Sequence, residues 1–169
     1  MNTATSTHYG VKHMNKKTIV NIALVVTPLL IGICSSILTR DMMIEYGGLN
    51  KPPLSPPSIL FPIVWSILYL LMGIAAALIY TKPELNSYRS TGLILHVVQL
   101  IFNFMWSIIF FNMKQYTFAF IWLVILLLVV ISMVMNYKHI STTAFLLNIP
   151  YIVWLTFAGY LNLAVAILN

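Results

Sequence analysis

The chain predicts an all-α membrane protein, a bundle of five transmembrane helices, on three observations. Of its 169 residues 60% are hydrophobic and only 7% charged, against roughly 25% charged in an average soluble domain. Apolar windows of the ~18–25 residues that cross a bilayer recur five times. The connections between them are short, which leaves no length for a separate soluble domain.

Residues 1–15 are polar and Thr-rich and read as a disordered lead ahead of a single domain over 16–169. The first span, Thr18–Leu38, follows Lys16 and Lys17. Basic residues before an apolar run also begin signal peptides, but the length of this run and Pro28 at its middle fit a retained helix. Cys34, the one cysteine, lies in this span, so no internal disulfide or cysteine metal motif is available. Between the first two spans, Lys51–Pro57 holds four prolines in seven residues. Each lacks an N–H and pushes its predecessor out of the α region, so no helix forms there. Stiff chain closes a loop at lower entropic cost than Gly/Ser chain, and Lys51, Pro52, Pro56 and Pro57 are expected to roof whatever lies beneath them.

The second span, Ile59–Tyr80, carries Phe61, Trp65, Tyr69 and Gly73 four apart and so on one face. In the third, Leu93–Phe111, the residues Gln99, Asn103, Trp106 and Phe110 share a face by the same periodicity. The fourth, Phe118–Tyr137, has Trp122 near its start without polar neighbours at helical spacing, which suits the interfacial belt or lipid. The fifth, Ala144–Leu168, places Tyr151, Trp154, Ala158 and Asn162 together, with Pro150 expected to break or kink its beginning.

Charge fixes an expected orientation. Lys12, Lys16, Lys17, Lys82, Arg89 and Lys138 fall on one side of a five-helix threading, and Arg40, Lys51 and Lys114 on the other. The positive-inside rule then puts the N-terminus in the cytosol and the C-terminus outside. The net charge of +6 is accounted for by topology and headgroup contact; a nucleic-acid partner would need a basic stripe on a soluble surface.

All three carboxylates and all nine Lys/Arg lie outside the middle of the spans. Ion-coupled transporters usually need an ionisable group at membrane depth, so this pattern argues against a small ion-coupled exporter. The polar groups inside are neutral: Asn21, His96, Gln99, Asn103, Asn148 and Asn162. Any one of them can be interhelical glue, worth ~0.6 kcal/mol on average. Amides and tryptophans grouped on facing helices also suit a cavity for a flat hydrophobic ligand with few polar atoms. His96 stands without a second histidine at ligand spacing, and capping or hydrogen bonding explains it as well as an axial haem bond does. No nucleophile–base pair, phosphate loop, paired carboxylates or metal-binding set is present.

At these residues the chain resembles the TspO/MBR family, the tryptophan-rich sensory proteins whose mitochondrial relatives are called translocator protein or peripheral benzodiazepine receptor. The resemblance covers about Leu49 to Asn169. It rests on Lys51-Pro52…Pro56-Pro57, Trp65-x-x-Leu68-Tyr69-x-x-Met72-Gly73, Gln99-x-x-x-Asn103-x-x-Trp106 with Phe110-Phe111, and Pro150-Tyr151-x-x-Trp154-x-x-Phe157-Ala158-x-x-Leu161-Asn162. It implies a multi-pass protein of a bacterial cell membrane, commonly a homodimer, that binds porphyrins, haem-like molecules and benzodiazepine-type ligands beneath the first loop, with no required cofactor. By position it implies ligand-binding roles for Phe61, Trp65, Tyr69, Asn103, Trp106, Phe118, Tyr151, Trp154, Ala158 and Leu161, and marks Trp65 and Trp154 as candidates in light-dependent breakdown of protoporphyrin IX. Three positions depart from the pattern: Leu54 replaces the usual loop tryptophan, Phe118 aligns with a tryptophan of animal members, and no basic residue follows Tyr160 to complete a sterol-recognition pattern.

Three functions follow as expectations. The first is a porphyrin-binding sensory protein with a regulatory role in tetrapyrrole metabolism or stress. The second is a photo-oxidative porphyrin-degrading enzyme, in which a ligand-generated reactive species and oxidisable indoles replace acid–base machinery. The third is a passive carrier of hydrophobic ligands.

Overall fold

In the computed structural model, residues 15–40, 48–83 and 87–169 are described. The expected lead up to residue 14 lies outside them, as do 41–47 and 84–86. Five helices are each long and apolar enough to cross a membrane: α1 (Lys16–Leu38), α2 (Leu60–Thr81), α3 (Ser87–Ser107), α4 (Tyr116–Lys138) and α5 (Thr142–Leu168). One turn of π-helix, Ile108–Asn112, continues α3. No strand occurs among the described residues. In hydrocarbon every backbone polar group needs an internal partner, and the helix supplies it within one segment.

The helix starts follow capping chemistry. Asn15 accepts from the Lys17 N–H at 3.2 Å, and Ser141 Oγ accepts from the Ala144 N–H at 3.3 Å, each satisfying a free first-turn donor. The third helix begins six residues before the expected Leu93, at Ser87. The reason lies in Arg89, which donates to the Tyr80 carbonyl at the end of α2 at 2.7 Å and sits over the Tyr80 ring. An apolar window detects the lipid-embedded part of a helix and misses such a polar extension. Pro150 does not break α5, which is helical from Thr142 to Leu168; membrane helices tolerate proline because neighbouring groups re-satisfy the freed backbone.

The helices form a ring. α1 packs mainly on α2, α2 also on α5, α5 on α4 and α4 on α3, whereas α3 meets α1 and α2 only lightly. The core lies among α2, α3, α4 and α5, around Met72, Leu100, Leu126, Val134, Tyr137 and Leu155. Two glycines set close approaches. A Cβ on Gly73 would lie 2.8 Å from the Val25 Cα, so the backbones of α1 and α2 touch there. A Cβ on Gly92 would lie 2.8 Å from the Tyr137 ring, which covers α3 at that point. The lightly packed side of the ring, between α1, α2 and the end of α3, is where space remains.

Candidate functional site: an aromatic cavity at one end of the bundle

That space is a cavity of about 430 Å³, within the roughly 300–1,000 Å³ of small-molecule sites. It occupies the end of the bundle where α1, α3 and α5 finish and α2 begins. The second half of α1 supplies one wall through Leu29, Gly32, Ile33 and Ser36; α2 supplies Phe61, Trp65, Ser66 and Tyr69. The far wall is Trp106 with Phe110 and Phe111, and α5 closes the floor with Ala158, Leu161 and Asn162. Among the described residues no charged side chain lines it.

The π-turn shapes the aromatic wall. A π-bulge adds a residue to one turn and shifts the helical phase, and here both Phe110 and Phe111 reach the cavity. Phe110 stacks on Trp106 at 5.3 Å between centroids and meets Phe111 edge-on at 4.9 Å. Trp106, only 9% exposed, is also held at its polar edge: its indole N–H donates to Asn162 Oδ1 at 3.1 Å, and Asn162 Nδ2 donates to the Tyr116 carbonyl at 2.8 Å. One amide thus joins α3, α5 and α4 and fixes the plane of the indole. Sequence periodicity does not disclose a π-turn, so this arrangement was not legible beforehand.

Beneath the α2 wall runs a second polar chain. Tyr69 O–H donates to Asn103 Oδ1 at 2.7 Å, Asn103 Nδ2 donates to Tyr151 Oη at 3.0 Å, and Tyr151 O–H donates to Gln99 Oε1 at 2.8 Å. Gln99 Nε2 then points at the Met72 sulfur at 3.5 Å. Every member is buried. The chain ties α2, α3 and α5 with groups that in lipid have no other partner, and leaves the Tyr69 ring as a fixed surface facing the cavity and covering Gly32. Trp65 lies on this surface, 5.5 Å from Tyr69 and 6.2 Å from Tyr151.

Of the residues expected to bind ligand, Phe61, Trp65, Tyr69, Trp106, Ala158 and Leu161 line the cavity. Asn103 and Tyr151 stand one layer behind, in the polar chain. Trp154 is not part of the lining. It is half-buried, 5.9 Å from Phe61 and 5.7 Å from Phe157, with a buried indole N–H that has no hydrogen-bond partner. At 3.6 residues per turn Tyr151, Ala158 and Asn162 span about 40°, and Trp154 stands about 40° beyond Ala158 and 60° from Tyr151, at the edge of that face, where its ring meets Phe61 and Phe157. Phe118 is 48% exposed on the outside of α4, 6.0 Å from Trp122. Trp122 is not the lipid-facing belt residue expected: it stacks on Phe102 at 4.5 Å and donates its N–H to the Phe102 carbonyl at 2.9 Å, locking α4 to α3. His96 is buried in the core and away from the cavity lining.

The proline loop is tied down at the end of α5. Ser55 N–H bonds the Pro52 carbonyl at 3.3 Å, with Pro53 and Leu54 at the turn's centre and Leu54 at φ 70°. Proline followed by a positive φ is the pattern of a type II turn, where glycine is usual. Leu54 is 81% exposed. Asn50 and Asn169 exchange two backbone–amide bonds at 3.1 Å, and Tyr160 O–H donates to the Pro53 carbonyl at 2.9 Å. The loop is therefore stapled to the end of α5. Lys51, Pro52, Pro56 and Pro57 do not line the cavity, whose rim at this point is Ser58. The α1 wall carries no sequence signal of its own: Gly32, Ser35 and Ser36 are small residues on a spanning helix, and only the crossing of α1 over α2 shows that they border open space.

The fold and the cavity define the class, a five-helix integral membrane protein with an uncharged aromatic chamber at one end. A profile of the TspO/MBR family matches residues 24–168, and the chain belongs to that family. It is 35% identical over 124 residues to the tryptophan-rich protein TspO of Chlorobaculum tepidum, covering 73% of this chain and 78% of the relative. It is 33% identical to the tryptophan-rich protein TspO of Archaeoglobus fulgidus over 88% of this chain and 95% of the relative. To the translocator protein of Ovis aries it is 32% identical, over 69% of this chain and 70% of the relative.

Proposed function

We propose that this protein binds porphyrins, protoporphyrin IX and haem-like molecules among them, and other flat hydrophobic ligands in the cavity, as a sensor or regulator in tetrapyrrole metabolism or stress. The observation that carries the reading is the pair Trp65 and Trp106, on α2 and α3, facing one uncharged cavity of about 430 Å³. A flat ring gains dispersion and desolvation against such walls, and the hydroxyls of Ser36, Ser66 and Ser107 offer hydrogen bonds to its polar edge. The name tryptophan-rich sensory protein, carried by a Cereibacter sphaeroides relative 34% identical over 124 residues, supports a sensory role. We further propose a homodimer in a bacterial cell membrane, with the N-terminus cytosolic and the cavity at the outer end of the bundle. Reagent labelling of a cysteine at Asn169, in a Cys34→Ala background, tests the orientation: labelling from the outside only is expected.

Binding is tested by titrating purified protein with protoporphyrin IX in the dark and in light. Saturable tryptophan quenching with the porphyrin spectrum conserved in both is the expected result. Loss of porphyrin that requires both protein and light would replace the sensor by an enzyme acting through Trp65 or Trp154. No saturable quenching would overturn the reading.

A further inference from the structure

α1 and α2 separate toward the cavity end like the arms of a fork. Their backbones touch at Gly73 and Val25, and the Tyr69 ring still covers Gly32 one level further on. Pro62 and Ser66 follow on the face of α2 that points toward α1, since Ser66 lies three residues from Tyr69 and seven from Gly73. Packed helices would bury that stripe, yet Pro62 and Ser66 are both exposed while lining the cavity. On the other arm Ile33 and Ile37 also line the cavity, and they are 56% and 69% exposed. A residue that is both wall and outer surface marks an opening. The end of α1 is meanwhile drawn to α3, where Asn112 Nδ2 donates to the Leu38 carbonyl at 3.1 Å, and this bond ties the arm away from α2.

We propose that this fork is a side opening into the bilayer, through which the acyl chain of a neighbouring phospholipid lies in the cavity when no other ligand fills it. Three features select a lipid chain as the occupant. The fork opens between the last turns of α1 and the first turns of α2, both helices long and apolar enough to span a membrane, with Ile33 and Ile37 exposed at its edge. Its outer margin is continuous with the lipid-facing surface of Ile63 and Ile67, both exposed. Its inner walls are mostly apolar, with a few hydroxyls such as those of Ser36 and Ser66, and carry no charge, so a charged headgroup has no ionic partner inside, whereas an unbranched chain meets mainly aliphatic and aromatic surface.

The proposal uses no porphyrin and stands or falls apart from the porphyrin reading. Its test is the full chain with Trp106 as sole tryptophan (Trp65→Phe, Trp122→Phe, Trp154→Phe), reconstituted in phosphatidylcholine vesicles with or without bromine at mid-chain. Trp106 is buried on the far wall, so bromine quenches it only by reaching into the cavity. Strong quenching in brominated vesicles is expected, and Ser66→Phe, which fills the mouth from α2, should remove most of it. Ser36→Phe should do the same from α1 and serves where the first variant loses helical circular dichroism. Emission unaffected by bromine, or quenching that both plugged and folded variants retain in full, would overturn the proposal.

Discussion

Replacing Gly73 by alanine tests the close backbone contact between α1 and α2. The added methyl would stand 2.8 Å from the Val25 Cα, 2.9 Å from the Leu24 carbonyl oxygen and 3.0 Å from that of Val25. Ordinary carbon contacts lie at ~3.5–4.0 Å, so α1 must retreat by roughly 1 Å, a gap that forfeits a quarter to a half of the dispersion wherever it opens. All three neighbours are backbone atoms, so no rotamer change relieves the clash. Overpacking of this kind costs about 1–3 kcal/mol, partly offset by the ~0.5–1 kcal/mol that alanine gains over glycine within a helix. Gly159→Ala is the internal control, because its methyl would meet only the Leu123 Cδ2 at 3.4 Å. The assay is thermal unfolding in detergent followed by circular dichroism. Gly73→Ala should melt below the parent protein and Gly159→Ala at or above it. Equal melting of Gly73→Ala and the parent, or an equal fall in both variants, would refute the packing argument.

The polar chain can be dissected by a double-mutant cycle. Tyr69→Phe removes one bond, worth ~0.6 kcal/mol on average between membrane helices, whereas Asn103→Ala removes two and leaves a buried Tyr69 hydroxyl, at about 1–3 kcal/mol. A coupling energy near zero in denaturant unfolding would show that the two residues do not act together. At the α3–α4 seam, Trp122→Phe should cost about 0.5–1.5 kcal/mol for the lost N–H bond, whereas Phe118→Ala should leave stability and porphyrin affinity unchanged. A selective loss of affinity in Phe118→Ala would put that ring in the site after all.

The five spans were legible because lipid demands long uninterrupted apolar helices, and only their polar extensions escaped, as with Arg89 beyond the third apolar window. The inward face of α3 was legible too, with Trp106 on the cavity and Gln99 and Asn103 in the polar chain behind it. Gln99, Asn103 and Trp106 share a face in the sequence and do turn inward together. What escaped depended on phase and on crossing geometry. A spacing of three from Tyr151 looks like one face, yet it turns Trp154 onto Phe61 instead of into the cavity. Trp122 showed no polar neighbour at helical spacing because its partner is the backbone carbonyl of Phe102, a group that every residue carries. The α1 wall and the π-turn depend on where α1 leaves α2 and on one extra residue in a turn, and neither leaves a residue-type signal.

The central claim is that the chamber walled by Trp65 and Trp106 is where a porphyrin binds, and the most direct measurement is protoporphyrin IX affinity by Soret absorbance, which does not depend on the tryptophans as reporters. Truncating a well-buried aromatic anchor costs ~1–3 kcal/mol, so Trp65→Ala and Trp106→Ala should each bind roughly ten- to a hundredfold more weakly. Trp154→Ala should lower the melting temperature in detergent and leave affinity within experimental error. Unchanged affinity in folded Trp65→Ala and Trp106→Ala, or a selective loss in Trp154→Ala alone, would contradict the assignment and move the site to the far side of Phe61.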